Sequence, residues 1–264
     1  MRATFWGVRD SIASPGGATL RYGGNTACIE VTAGDATFVL ETGTGARELG
    51  RAMLARAPLS FHLLFSDYRW DHIQGFPFFT PVYVPTSEIH VYGPVVGGLG
   101  VREKLAAQMK FPVFPIQLEH LNARFRWNDV SGPARFQVGD ATLEALPIGE
   151  SVAWRIEAGG RRLVYLPEPA RRLPFADRAK LCDRASLIVY DGSVKGGLNG
   201  QHLAAVRSAW DDALALARAA KAKRVAVFHH SPEDDDRAIE ALQRRAKKSF
   251  AGAIAASEGM TLRL

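Results

Sequence analysis

Short apolar runs rich in β-branched and aromatic residues recur along the whole chain, and their spacing limits the fold more than any other feature of the sequence. Glycine-containing turn segments at 16–17, 23–25 and 33–35 separate the early runs, which is typical of antiparallel hairpins. The pattern predicts strands over residues 3–8, 27–32, 37–41, 61–65, 89–92, 141–146, 153–156, 163–166, 187–190 and 224–228.

Helical spacing of apolar residues interrupts these strands at a few places. It predicts helices over 46–57, 101–109 and 202–220. A last helix is expected to begin at Ser231, with Pro232 in its first turn and acidic residues at the positive end of its dipole. Many strands, few long helices and no regular βαβ alternation favour an α+β protein with two packed sheets and outer helices, in one domain over 1–264.

Composition limits the classes of partner. The 264 residues carry a net charge of +6, and such a positive field favours anionic ligands. No stripe of basic and aromatic residues indicates nucleic-acid binding. The chain has no apolar run of membrane length and no secretory core at its start, so we expect a cytoplasmic protein without membrane contact. The oligomeric state stays open, a homodimer included.

Several segments, taken in order, resemble the metallo-β-lactamase superfamily, and in particular its phosphodiesterase and RNase Z-like branch. They are FWGVRDS (5–11), RYGGNTACIEV (21–31), ETGTGARELG (41–50), SDYRWDHIQGFPFF (66–79), VYLPEP (164–169), IVYDG (188–192) and VAVFHHSPEDDD (225–236). The resemblance implies an αββα sandwich of two mixed β-sheets flanked by helices, with a metal site at one edge of the sheets.

The same resemblance implies a centre of two metal ions that activates a hydroxide nucleophile. Carried over by position, the three histidines of the first metal site are replaced here by Asp67, Arg69 and Glu150. Arginine has no lone pair to give to a metal ion. The first metal site of the family is therefore expected to be lost.

The second metal site of the family keeps most of its ligands in this sequence. The resemblance places Asp71, His72 and His229 at ligand positions, and Glu168 stands where the family has a bridging aspartate. One divalent ion, whether zinc, manganese or iron, could bind there. In that case the chain would be a one-metal hydrolase, most directly a phosphodiesterase, with Asp71 and Arg69 acting in catalysis.

A metal-free interpretation is favoured over this alternative. Arg69 would occupy the space of the first metal ion, surrounded by Asp67, Glu150 and Glu168, because a buried carboxylate cluster needs a positive partner. The protein would then be a divergent member without the two-metal hydrolytic centre, acting by binding a small anionic ligand or a protein partner. Whether it is an enzyme is left open by the sequence.

Further residues are expected around the pocket. Asp191 would orient His72 or His229 by a hydrogen bond to the imidazole. Arg207 replaces a histidine of relatives at the edge of the site, unless it is a solvent-facing helix residue. Of the adjacent pair at the strand end, only one histidine can point along the ligand direction, and His229 is preferred to His230.

Overall fold

The computed structural model describes residues 1–56, 59–194 and 202–264. The first of two seven-stranded sheets has the order β14-β1-β2-β3-β4-β5-β6. Its strands are β1 (Arg2–Gly7), β2 (Cys28–Ala33), β3 (Ala36–Leu40), β4 (Ser60–Leu64), β5 (Glu88–Pro94), β6 (Arg124–Val130) and β14 (Thr261–Arg263). Strands β1 to β3 pair antiparallel, as the glycine-containing turns predict, and β3 to β6 pair parallel.

The second sheet has the order β13-β12-β11-β10-β9-β8-β7. Its strands are β7 (Ala134–Val138), β8 (Ala141–Ile148), β9 (Ser151–Ala158), β10 (Arg161–Leu166), β11 (Leu187–Asp191), β12 (Val225–Phe228) and β13 (Ala253–Ala255). Strands β7 to β10 pair antiparallel and β10 to β13 pair parallel. Both sheets are therefore mixed.

Six α-helices of the described residues lie outside the sheets or in their connections. They are α1 (Ala46–Leu54), α2 (Trp70–Ile73), α3 (Val101–Gln108), α4 (Phe175–Leu181), α5 (His202–Ala219) and α6 (Asp236–Ser249). The helix predicted over 46–57 ends earlier, and its predicted last residue, Ala57, lies outside the described residues. No helix among the described residues is both long and apolar enough to cross a membrane.

Three apolar cores correspond to a four-layer arrangement. The central core lies between the sheets and contains Phe5, Phe38, Trp154 and Phe228. A second core packs residues of α5 and α6 against the outer face of the second sheet. A third packs α1 and α3 against the outer face of the first sheet. The predicted αββα sandwich of two mixed sheets is confirmed.

The last helix begins later than predicted. It starts at Asp236, where the Asp235 side chain accepts a hydrogen bond of 2.7 Å from the backbone N–H of Ala238. The preceding turn is held out of the helix by Arg9, whose buried guanidinium donates to the carbonyl of Ser231 at 3.0 Å. The prediction of Ser231 as the helix cap was wrong because it took no account of this distant partner.

The parallel strands of both sheets end at one edge of the sandwich. Glu41 follows β3 and Asp67 lies just beyond β4 in the first sheet. In the second sheet Glu168 lies just beyond β10, Asp191 ends β11 and His229 follows β12. Polar side chains from five separate segments thus come to one place, as is general at the carboxyl ends of parallel strands.

Glycines allow the two segments at this edge to touch through their backbones. A Cβ at Gly75 would lie 2.0 Å from the carbonyl oxygen of Gly43, and a Cβ at Gly43 would lie 2.4 Å from that of Asp71. The N–H of Gly75 also donates to the carbonyl of Thr42 at 2.8 Å. The turn after β3 therefore fixes the height of α2 above the sheet.

Gly75→Ala should lower the free energy of unfolding by about 2 kcal/mol, because the new methyl group must push two backbones apart. Gly132→Ala is the matched control, since a Cβ there meets no atom within 4 Å. Urea unfolding of both variants measures the difference. Equal stability of the two variants would show that the backbone contact at Gly75 can relax without cost.

Candidate metal centre

His72 is fully buried in α2, and two carboxylates hold one side of its ring. Its Nδ1 lies 2.7 Å from Asp67 Oδ1 and 3.6 Å from Glu41 Oε2. Of the two oxygens, only Asp67 Oδ1 lies within hydrogen-bond distance of Nδ1. This arrangement leaves Nε2 directed to the space between the sheets' edges, which is how carboxylates orient metal-binding histidines.

His229 faces the same space from the second sheet. It is fully buried, and its φ of +66° is the left-handed conformation that non-glycine residues seldom adopt. The neighbouring residue is fixed by a backbone hydrogen bond of 2.8 Å from His230 N–H to the carbonyl of Val8. Its Nδ1 lies 3.1 Å from Asp191 Oδ1, so Nε2 is again the free side of the ring.

Three possible ligand atoms converge where these rings meet. The Nε2 atoms of His72 and His229 are 3.2 Å apart, and Asp71 Oδ2 lies 2.9 Å from His229 Nε2 and 3.8 Å from His72 Nε2. Ligand atoms of a tetrahedral zinc ion, bound at about 2.1 Å, lie about 3.4 Å from one another. The residues present therefore fit one divalent ion with three protein ligands, the number that catalytic rather than structural zinc sites provide.

Arg69 lies directly beside this cluster. Its Nε donates to Asp67 Oδ2 at 3.1 Å, and its Nη2 donates to Asp191 Oδ2 at 3.0 Å. The same Nη2 lies 3.1 Å from His72 Nε2. One guanidinium thus connects the carboxylates that orient the two histidines.

Three carboxylates of the centre are held in their ionised form. Burial opposes ionisation of Asp67, but His72 and Arg69 outweigh it and lower its pKa to about 2. Burial is likewise outweighed at Asp71, whose pKa is lowered by the hydrogen bond from His229 and by nearby cations. At Asp191 the His229 and Arg69 cations hold the pKa well below its usual range.

Two bases of the centre respond to those carboxylates. Burial would lower the pKa of His229, but Asp191 and Asp71 raise it to about 10. Asp67 and Glu41 also raise the pKa of His72 against its burial. Yet Arg69 Nη2 can only donate, so its 3.1 Å contact is attractive only while His72 Nε2 keeps a lone pair. We therefore assign His72 as the neutral imidazole with its proton on Nδ1.

Charge balance follows from this assignment. Without a metal ion, the cations that Asp67, Asp71 and Asp191 face among the described residues are Arg69 and protonated His229. One negative charge is then uncompensated in a buried place, which is costly. A divalent ion in place of the His229 proton brings the same groups to neutrality. Burial raises the pKa of Glu41 to about 7, so its carboxyl adds at most part of a negative charge at neutral pH.

The predicted carboxylate partners of Arg69 and of the metal ion differ from those observed. Glu168 lies outside the group of Asp71, His72 and His229, and Arg69 is paired with Asp191 where Glu168 was expected. The backbone N–H of Glu168 donates to Asp191 Oδ2 at 3.1 Å, and Glu168 lines the cleft that also contains Arg69.

The other predicted pocket residues lie outside the ligand cluster, and of these Glu150 lines the cleft beside it. Glu150 is exposed in the turn between β8 and β9, and it forms no ion pair with Arg69. Arg207 is exposed on α5 and does not line the cleft beside the centre. His230 turns away, with its Nε2 2.9 Å from the carbonyl of Ala256, and burial lowers its pKa to about 4.

Two contacts of the centre were missed by sequence reasoning. Glu41 shares the Nδ1 side of His72, and its other oxygen accepts from the N–H of Ser66 at 2.9 Å. The strand-end position of Glu41 in the ETGTG segment is a signal that could have placed it there. The N–H of Ser11 donates to Asp71 Oδ2 at 3.1 Å. A backbone donor of this kind cannot be predicted from a pattern of side chains.

A cleft of about 1050 Å³ opens beside the centre. Its walls come from the loop after β4, from α3, from the β8–β9 turn and from the 3₁₀ turn Glu168–Arg172. Positive residues in the walls are Arg69, Lys104 and Arg172, and negative ones include Glu150 and Glu168. The volume suits an organic molecule rather than a bare ion.

Arg69→Met should lower the free energy of unfolding of the chelator-treated protein by roughly 1–3 kcal/mol, because Asp67 and Asp191 lose their shared cation. The figure is below that for a fully buried pair, since 33% of the Arg69 side chain is exposed and solvent screens part of the charge. Arg207→Met, on the exposed face of α5, should change stability by less than about 0.5 kcal/mol. Urea unfolding with equal losses in both variants would contradict the role given to Arg69.

Comparisons with known proteins agree with this architecture. Similar solved structures include the metallo-β-lactamase fold protein YhfI from Bacillus subtilis (TM-score 0.68, 16% identity, 99% of each chain covered). The short form of human tRNase Z follows, with TM-score 0.66, 16% identity, and 100% of this chain and 99% of that chain covered. A diphosphatase of the PhnP family gives TM-score 0.67 and 15% identity, with 100% of this chain and 97% of that chain covered.

At these identities the structural likeness shows the fold alone. No curated protein sequence matches the chain. A family model, however, matches residues 37–230, which include every residue of the candidate centre from Glu41 to His229, and it is described as the β-lactamase superfamily domain. The chain therefore belongs to the metallo-β-lactamase superfamily.

Proposed function

We propose that this protein is a hydrolase that uses one divalent metal ion, held by Asp71, His72 and His229, to cleave a phosphodiester or related phosphate compound in the adjoining cleft. The observation that carries the proposal is the convergence of two imidazole Nε2 atoms and one carboxylate oxygen, with a carboxylate on the Nδ1 side of each ring. Histidines held in this way are typical of metal ligands.

Several residues of the chain orient the ligands of the metal ion. Asp67 and Asp191 hold the two imidazoles in the tautomers that present Nε2 to the centre. The N–H of Ser11 fixes the orientation of the Asp71 carboxylate. A bound divalent ion supplies Lewis acidity and lowers the pKa of a bound water molecule.

Arg69 stands where the resemblance places a ligand of the first metal ion. Its Nε and Nη2 are engaged by Asp67 and Asp191, whereas Nη1 takes part in neither bond. Arg69 also lines the cleft, so Nη1 is available to an anionic oxygen of a substrate. A fixed guanidinium can stabilise the charge of a phosphoryl group in the transition state, as a metal ion does.

The substrate class rests on charge and on the kind of enzyme that shares the fold. The protein carries a net charge of +6, and Lys104 and Arg172 line the cleft together with Arg69. Two of the structural neighbours are named as a diphosphatase and a tRNase. A phosphate compound is therefore the class that we propose for this chain.

A metal-free anion-binding protein is the second candidate. It is favoured by the 3.1 Å contact of Arg69 Nη2 with His72 Nε2, which occupies one of the three ligand atoms with a hydrogen bond. The uncompensated negative charge of that state makes it the weaker of the two. The two candidates differ in a simple way, because only the first requires a metal ion for turnover.

His72→Ala should abolish metal binding and lower kcat/KM for bis(p-nitrophenyl) phosphate by at least about 100-fold, because a three-ligand site does not survive the loss of one ligand. The protein is stripped with a chelator, reloaded separately with zinc, manganese or iron(II), and assayed by release of p-nitrophenolate. His120→Ala is the control, since His120 is exposed and remote in sequence from the centre.

Wild-type turnover that returns with one of the metals, and that only the His72 variant loses, supports the hydrolase. Full turnover in the His72→Ala variant rejects it. Absence of turnover with every metal, together with unchanged phosphate affinity after chelation, would instead support the metal-free candidate.

A further inference from the structure

Trp70 is the most conspicuous apolar residue at the cleft. It lies between Arg69 and Asp71 in the chain, lines the cleft, and leaves 56% of its surface exposed. Single exposed apolar residues are common on protein surfaces. An indole fixed at the start of α2, directly beside charged groups of a candidate centre, is in a position to touch whatever the centre holds.

Apolar residues continue from Trp70 around the cleft. Ile73, one turn later, contributes to the same wall, and Pro169 and Leu173 contribute from the 3₁₀ turn after β10. Ile148 adds a further apolar side chain at the end of β8. The cleft thus combines cations with an apolar lining, which is the usual make-up of a site for an organic ligand.

Two cations of the cleft differ from Arg69 in their partners. Lys104 is half-buried on α3 and Arg172 is exposed at the end of the 3₁₀ turn, and neither forms an ion pair with any described residue. Arg69, by contrast, is paired with Asp67 and Asp191. Lys104 and Arg172 can therefore meet a negative group without breaking an existing pair.

We propose that the cleft selects an organic phosphate or phosphonate whose phosphorus group carries an aromatic or similarly flat apolar substituent, with Trp70 stacking on that substituent and Lys104 attracting the anion. The inference deepens the proposed function and rests on the cleft being the substrate site. It makes Trp70 a specificity-determining residue, because an anion without the flat group would lose its contact with the indole.

The test compares phenylphosphonate with methylphosphonate, two anions that differ in the apolar group and contain no hydrolysable ester. Isothermal titration calorimetry should show phenylphosphonate binding about tenfold more tightly to the wild-type protein. Trp70→Ala should reduce this ratio to about one and leave the affinity for methylphosphonate unchanged. Lys104→Met should weaken both anions by a similar factor.

Phe78→Ala is the matched control. Phe78 is exposed to nearly the same extent, 57%, but does not line the cleft, so its variant should keep the tenfold ratio. Trp70→Phe, which keeps a flat ring at the same place, should retain a preference for phenylphosphonate. A ratio of about one in the wild-type protein, or an unchanged ratio in Trp70→Ala, would overturn the inference.

Binding of these phosphonates is measured without turnover. Loss of the Trp70 effect in a protein that still hydrolyses phosphodiesters would reject only the role of Trp70. A clear Trp70 effect in a protein without any hydrolysis would reject only the hydrolase.

Discussion

The rest of the centre depends on the two ion pairs that Arg69 forms with Asp67 and Asp191. Asp67 orients His72 and Asp191 orients His229, so one cation sets the positions of both imidazoles through their carboxylates. The guanidinium is tied to both partners by hydrogen bonds of 3.0 and 3.1 Å. An ion pair of this kind is costly to bury and strong once its geometry is complete.

This arrangement is compatible with one metal ion in place of the two that the resemblance implies. Arg69 supplies one positive charge where the resemblance implies a metal ion, and the ligand set of Asp71, His72 and His229 stays together. The three ionised carboxylates carry one more negative charge than Arg69 and one protonated histidine neutralise. A single divalent ion in place of the histidine proton balances these charges. Two divalent ions beside Arg69 would leave an excess of positive charge.

The surrounding fold gives the centre its rigidity. Arg171 donates to the backbone carbonyls of Asp191 and Ser193, which fixes the end of β11 from the neighbouring 3₁₀ turn. That same turn contributes Arg172 to the cleft, and Leu173 directly after it lines the cleft too. The wall of the cleft and the orientation of Asp191 are therefore supported by one short segment.

The strands that sequence reasoning found and those that it missed differ in burial. The missed strands β6, β7, β13 and β14 are the four edge strands of the two sheets. An edge strand is covered on fewer sides, so its apolar alternation is weak, as the largely exposed or half-buried residues of β6 and β7 show. Inner strands such as β11 and β12 are fully buried and carry the continuous apolar runs from which strands were predicted.

At the site, the residue types predicted which side chains form the ligand cluster better than they predicted which carboxylates pair with Arg69. Asp71, His72 and His229 follow from the motif and meet in the structure, where the side chain of His230 turns away. Glu168 is not part of the ligand cluster, and its backbone N–H instead donates to Asp191 Oδ2. Contacts of this kind depend on tertiary geometry, and the sequence contains no pattern for them.

The most direct measurement is anomalous X-ray diffraction from crystals grown with a divalent transition metal, collected at the absorption edge of that metal. We expect one peak, in contact with Asp71, His72 and His229, while the Arg69 guanidinium remains between Asp67 and Asp191. Two peaks with Arg69 turned out to solvent, or no peak with the Nε2 atoms bridged only by a proton, would contradict it.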